Sequence, residues 1–118
     1  MSRIPTTEMF EQLDENADRD HLEVLKEESM TVEVGRYSAS KSAPKNPHTG
    51  DEIYYIISGS GMARVEDETY PVEPGDVVFV EAGLEHDFFN IEEDIRALIV
   101  LAGSPDPAAY SMREESDE

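Results

Sequence analysis

The sequence predicts an all-β fold, one small barrel or sandwich, and three observations carry that expectation. From Leu22 onward, short segments alternate apolar and polar residues at a period of two. Gly, Pro and Asp turns separate those segments. No helical periodicity is sustained between Met30 and Leu101.

The elements follow in order. The 118 residues are enough for one compact domain. Residues 1–21 form a polar N-terminal segment in which Thr6 or Thr7 is expected to cap a short helix from Glu8 to Leu13. Residues 22–103 form the barrel. Its expected strands are Leu22–Leu25, Met30–Tyr37, Glu52–Ser58, Gly61–Glu66, Glu68–Val72, Val77–Val80, His86–Asn90 and Arg96–Leu101. A tight acidic hairpin turn is expected around Glu66-Asp67-Glu68, and a second turn at Glu81-Ala82-Gly83-Leu84, where Gly83 admits a left-handed backbone. Ser38 to Gly50 reads as a loop. Residues 104–118 read as a loose acidic tail broken by proline.

Composition narrows the partners. Asp and Glu number 28 against 9 Lys and Arg, a formal charge of −19. Such a field repels nucleic acid and anionic lipid. The acid is spread along the whole chain, and lysine occurs only at Lys26, Lys41 and Lys45. That pattern is expected of a halophilic protein, because concentrated salt screens self-repulsion. No apolar run is long enough to span a membrane, and the first residues lack the apolar core of a signal peptide, so the expected location is cytoplasmic. There is no cysteine, so a metal would have to sit on imidazole, carboxylate or amide oxygen.

His48, Glu52 and His86 are the candidate ligands. His48 and Glu52 lie four residues apart across a loop-to-strand boundary, and His86 opens a later strand. If the strands curl into one barrel, all three can face inward near one mouth. Two imidazoles and a carboxylate suit a non-haem divalent ion, Fe, Mn, Ni, Co or Zn. Glu52 shares a strand face with Tyr54 and Ile56, and an acid on an otherwise apolar face needs a partner.

The flanking residues sharpen this. The segment NPHTGDEIYYIISGSG resembles the first motif of the cupin superfamily, with His48 as its second histidine, Glu52 as its glutamate and Gly59 as its closing glycine. The segment GDVVFVEAGLEHDFFN resembles the second motif, through Gly75, Gly83, His86 and Asn90. Both motifs in order cover residues 46 to 90. Three positions depart from the pattern. Asn46 stands where the first histidine belongs, Ser40 where a glycine does and Glu81 where a proline does. The resemblance implies a jelly-roll barrel with one divalent transition metal ion (Fe, Mn, Ni or Zn) held by His48, Glu52 and His86, with Asn46 a candidate fourth ligand. An amide oxygen is a poorer ligand for such ions than imidazole.

Tyr54, Phe79 and Phe88 are candidate pocket walls. Met30, Val32, Val34 and Arg36 share a strand face. Turned inward, that face would present the Arg36 guanidinium to a carboxylate or phosphate; turned outward, Arg36 would pair with one of many acids. Ile53, Tyr55, Ile57 and Phe89 alternate to the other side, and an apolar outer face needs a cover, which a homodimer would supply. The expected function is a metal-dependent dioxygenase, isomerase or lyase acting on a small organic acid or enol. The alternative is a non-catalytic small-molecule-binding or structural barrel that works through its dimer or a partner. No catalytic triad pattern is present, and fold alone does not name a reaction.

Overall fold

The computed structural model describes residues 3–16, 20–39 and 50–103. Asn46, His48 and the expected tail 104–118 lie outside the described residues. The elements are helix α1 (Thr6–Glu15) and strands β1 (His21–Lys26), β2 (Met30–Tyr37), β3 (Glu52–Val65), β4 (Glu68–Val72), β5 (Val77–Val80) and β6 (His86–Ala102). The strands join in the order β1-β2-β6-β3-β4, with β5 also paired to β3, and every pairing is antiparallel. The fold is an all-β jelly-roll barrel with one short helix.

The eight expected strands become six, because β3 and β6 each run through a break seen in the sequence. The register shifts at Ile56/Ser58, Ser58/Ser60 and Ser60/Met62, so the ladder bends without ending. Gly59 makes the bend possible. Its φ is +93°, and a Cβ there would collide with the Asp94 carbonyl across the ladder. On β6 the bend falls at Asn90, exposed and left-handed at φ 47°. Asn90 therefore leaves the inward face that His86 and Phe88 share.

The bend divides the two long strands. The first half of β3 pairs with the second half of β6 and with β5; the second half of β3 pairs with the first half of β6 and with β4. The inward faces of both halves close over a core that includes Tyr54, Ile56, Val78, Phe88, Ile95, Ala97, Ile99 and Leu101.

Strand β2 faces opposite to the inward option. Its inward residues are Thr31, Glu33, Gly35 and Tyr37, paired across the ladder with Leu101, Ile99, Ala97 and Ile95. Val32, Val34 and Arg36 point outward. Val34 is nevertheless fully buried, because α1 lies over it. Met9, Phe10 and Leu13 form one stripe of α1 and pack on Val34, Leu22, Val24, Ile57 and Leu98. Burying Leu13 completely contributes about 1.5–3 kcal/mol. The helix starts two residues before its expected beginning, and neither threonine caps it. Pro5 is the N-cap, and its carbonyl accepts from the amides of Glu8 and Met9.

Candidate metal and ligand site

His86 is held from both sides of its backbone neighbour. The Glu85 amide donates to the Glu66 carboxylate at 2.9 Å, and the Glu85 carbonyl accepts from the Glu66 amide at 2.8 Å. Glu66 reaches that position because it turns the β3–β4 hairpin at φ 55°. Glu52 is placed from the next residue along. The Asp51 carboxylate accepts from the Ala82 amide at 2.9 Å, which ties the start of β3 to the turn before His86. Two short contacts thus bring residues 34 positions apart in the chain to one spot in space.

At that spot His86 Nε2 lies 3.0 Å from Glu52 Oε1 and 2.9 Å from the Tyr54 hydroxyl. Glu52 is 3 % exposed and His86 is 6 % exposed. The other ring nitrogen, Nδ1, lies 3.2 Å from the Leu84 carbonyl. A carbonyl only accepts, so Nδ1 carries a hydrogen and donates it. Nε2 faces the Glu52 carboxylate and the Tyr54 hydroxyl. That arrangement, with Nδ1–H anchored on a backbone carbonyl and Nε2 aimed at an anion, is how proteins prepare a histidine for a metal ion.

Tyr54 is buried among like-signed neighbours. Burial first, then Tyr37, then the charge and hydrogen bond of Glu52, then Glu33, hold its phenol well above the usual 10.0. Its ring meets Phe88 at 5.3 Å and Tyr37 at 6.3 Å, and Tyr37 meets Phe88 at 4.8 Å. A small cavity of about 10 Å³ between β3, β5 and β6 is lined by Tyr54, Arg64, Val65, Val78, His86 and Phe88, among others.

The structure brings Glu52, Tyr54, His86 and Phe88 together. It places two expected pocket residues elsewhere. Arg36 projects from the outer face of β2 and donates to Asp14 of α1 at 2.8 Å. The same Asp14 oxygen accepts from Arg96 at 3.0 Å. The reason is register: Arg36 is an even-numbered residue of β2, and the inward set is odd. Phe79 is 55 % exposed, because β5 turns Val78 and Val80 inward and pairs Phe79 with Ile53 on the outside.

Sequence reasoning missed three inward polar groups. Glu33 is 1 % exposed, and Thr31 is fully buried. His21 Nε2 lies 2.9 Å from the Tyr37 hydroxyl. The signal was Gly35. A glycine inside a strand marks a close approach, and a Cβ there would lie 2.8 Å from that hydroxyl. The Tyr37 ring folds back over the one gap in the row.

Comparison with known proteins decides the family. The cupin domain family pattern matches residues 29–102. The chain belongs to the cupin family. An uncharacterised protein from Streptomyces coelicolor is 38% identical over 82 residues, which is 70% of this chain and 78% of the relative. Acireductone dioxygenase 1 of Coprinopsis cinerea is 31% identical over 77 residues, spanning 59% of this chain and 43% of that enzyme. Among solved structures, the DMSP lyase DddQ of Ruegeria pomeroyi superposes with a TM-score of 0.65 at 24% identity, over 73% of this chain and 49% of that one. The last similarity speaks to the cupin fold alone.

Proposed function

We propose that this cupin is a metal-dependent enzyme that holds one divalent transition ion with Glu52, His86 and His48. One observation carries the reading: a buried carboxylate and a buried imidazole nitrogen stand 3.0 Å apart, with the imidazole's other nitrogen anchored on Leu84. His48 is the third donor on the strength of its position four residues before Glu52 in the first motif. Asn46 stands beside it as a weak oxygen donor or a holder of water. When bound, the ion supplies Lewis acidity for an isomerase or lyase, or redox chemistry for a dioxygenase.

The chain's own residues then do three things. Glu52 and His86 fix the ion, while Asp51 and Glu66 fix the backbone beside them. Tyr54 and Phe88 wall the opening and keep water from one side of it. Glu33 sets a second buried carboxylate near the Tyr54 phenol. Arg36 and Arg96 lie outside this space with Asp14, whereas Arg64, held by Asp87, is one of the residues that line it. A small acid or enol would bind through its own oxygens at the ion. Acireductone dioxygenases among the relatives support the dioxygenase branch of this reading.

We also propose a homodimer through the outer apolar face. Helix α1 covers Ile57 there, and the Arg64 guanidinium lies over Phe89 at 4.4 Å. Tyr55, Val77 and Phe79 stay exposed next to Ile53. That strip is the part left for a second copy.

The decisive experiment is elemental analysis of purified tag-free protein beside His48→Ala and His86→Ala. About one equivalent of Fe, Mn, Ni or Zn, lost in both variants, supports the reading. No metal after incubation with each ion favours a barrel that works by binding or through its dimer. Substrate-dependent oxygen uptake would then single out a dioxygenase.

A further inference from the structure

Strand β2 turns a hydroxyl into the barrel that no other group meets. Thr31 is fully buried, and among the described residues its Oγ1 has no hydrogen-bond partner. Its ladder partner on β6 is Leu101, and Leu101 pairs in turn with Glu52. Thr31 and Glu52 therefore stand on one row of the inner wall, two strand spacings or about 9.6 Å apart along the sheet. Glu33, also inward and 1 % exposed, follows Thr31 on the same face, about 6.7 Å further along the strand.

We propose that Thr31 and Glu33 together hold a hydroxyl group of the substrate, so that the small acid is a hydroxy acid and Thr31 is a residue that selects it. The inference rests on the reading of the barrel interior, at Glu52 and His86, as the place where that acid binds.

The chemistry of the two side chains carries it. Burying a hydroxyl without a partner is costly. Valine would fill much the same space without that cost, and β2 carries valine at Val32 and Val34. A threonine hydroxyl both donates and accepts, whereas a carboxylate offers about four acceptor sites and so takes a donor beyond the contacts Glu33 already makes. The group that suits both accepts from Thr31 Oγ1 and donates to Glu33. A hydroxyl does both through one oxygen. Hydrogen bonds of about 2.8 Å on either side of that oxygen bridge up to about 5.6 Å, which two side chains on one strand face can present. A second carboxylate on the substrate would accept from Thr31 but meet Glu33 as another acceptor, and the formal charge of −19 works against it as well. A water molecule fits the same pair, and the experiment separates the two.

The test is calorimetric titration of protein loaded with Ni(II), using three matched pairs of probes. The pairs are glycolate with acetate, 3-hydroxypropionate with propionate, and 4-hydroxybutyrate with butyrate. Wild type is expected to bind at least one hydroxy acid about tenfold more tightly than its partner without the hydroxyl. Thr31→Val is expected to lose that preference, keep the metal content of wild type and, without ligand, melt no lower than wild type. Thr31→Ser restores the hydroxyl and is expected to restore the preference. Bound metal with no preference in any pair would overturn the Thr31 assignment and leave the Glu52–His86 site standing. A preference that survives in Thr31→Val would place the hydroxyl on the ion and also overturn it. A melting temperature lowered by more than about 4 °C in Thr31→Val, with no preference in wild type, would assign Thr31 to a structural water only. Failure of wild type to take up metal would overturn the metal reading; a hydroxyl preference read on that metal-free protein would keep the Thr31 assignment, and its absence would overturn both.

Discussion

Strand β2 carries two chemistries back to back. Inward it shows Thr31, Glu33, Gly35 and Tyr37; outward it shows Met30, Val32, Val34 and Arg36. In a single-layer sheet the apolar set would face the core. Here the polar set faces the barrel's interior, and the apolar set is half covered by α1. The inward side is the one proposed to hold a ligand, and the outward side the one proposed to meet a second copy. Two acids, Glu33 and Glu52, stand buried on the interior side.

The sharpest way to break that contrast is His86→Ala. It should lose the ion by more than the roughly 10–100-fold that an outer partner of a ligand is worth, while circular dichroism reports an intact barrel. A collapsed fold would make the interior structural after all. Next is Leu13→Ala, which cuts the outer cluster. It should lower stability in urea by about 2–5 kcal/mol and leave metal content unchanged. Loss of metal in that variant would couple the two sides.

Phe79→Asp addresses the outer strip. Sedimentation should show a dimer become a monomer, with folding stability changed by no more than about 0.5 kcal/mol, as for other exposed sites. A wild-type monomer would remove the dimer. The smallest effect belongs to Asp14→Asn. The hydrogen bond from Arg96, with the Arg96 and Arg36 charges, holds the Asp14 carboxyl below its ordinary 3.8. A carboxyl lowered in the folded state stabilises above its unfolded value, and that contribution fades as pH falls through the lower folded value. Asp14→Asn should therefore cost up to about 1 kcal/mol near neutral pH and nothing in strong acid, measured by urea unfolding at each pH. Salt probes the whole surface at once. Molar salt shortens the screening length to about 3 Å, so the melting temperature should rise steadily from dilute buffer. A flat profile would remove the halophile expectation.

Much of the fold was legible because turns and alternation are local. The hairpin at Glu66, the turn at Gly83 and the inward row of Glu52, Tyr54 and Ile56 all read directly. The two breaks did not, because a bulge beside Gly59 and a left-handed Asn90 look the same in sequence as strand ends. The direction of β2 was hidden for another reason. A helix covers part of its outer face, so both faces are buried and alternation alone names neither as the inside. Arg36 was assigned to the pocket for that reason, and Phe79 because the four-residue β5 is apolar on both faces, so alternation names neither side as the inside. Tyr54 and Phe88 were placed beside His86 by period two alone. The backbone tethers through Asp51 and Glu66 link residues 31 and 19 positions apart, and no sequence spacing signals them.

The last strand has a bearing on how this chain is made. Met30 pairs with Ala102, and Glu52 pairs with Leu101. Neither β2 nor β3 can complete its ladder until the final strand has left the ribosome. Folding is therefore postponed until β6 has been made, and it must close loops of roughly fifty to seventy residues, which places it among the slower β topologies, roughly milliseconds to seconds. Until then the apolar faces and edges of β2 and β3 stay open, and the acidic chain's own repulsion is what holds neighbouring copies apart.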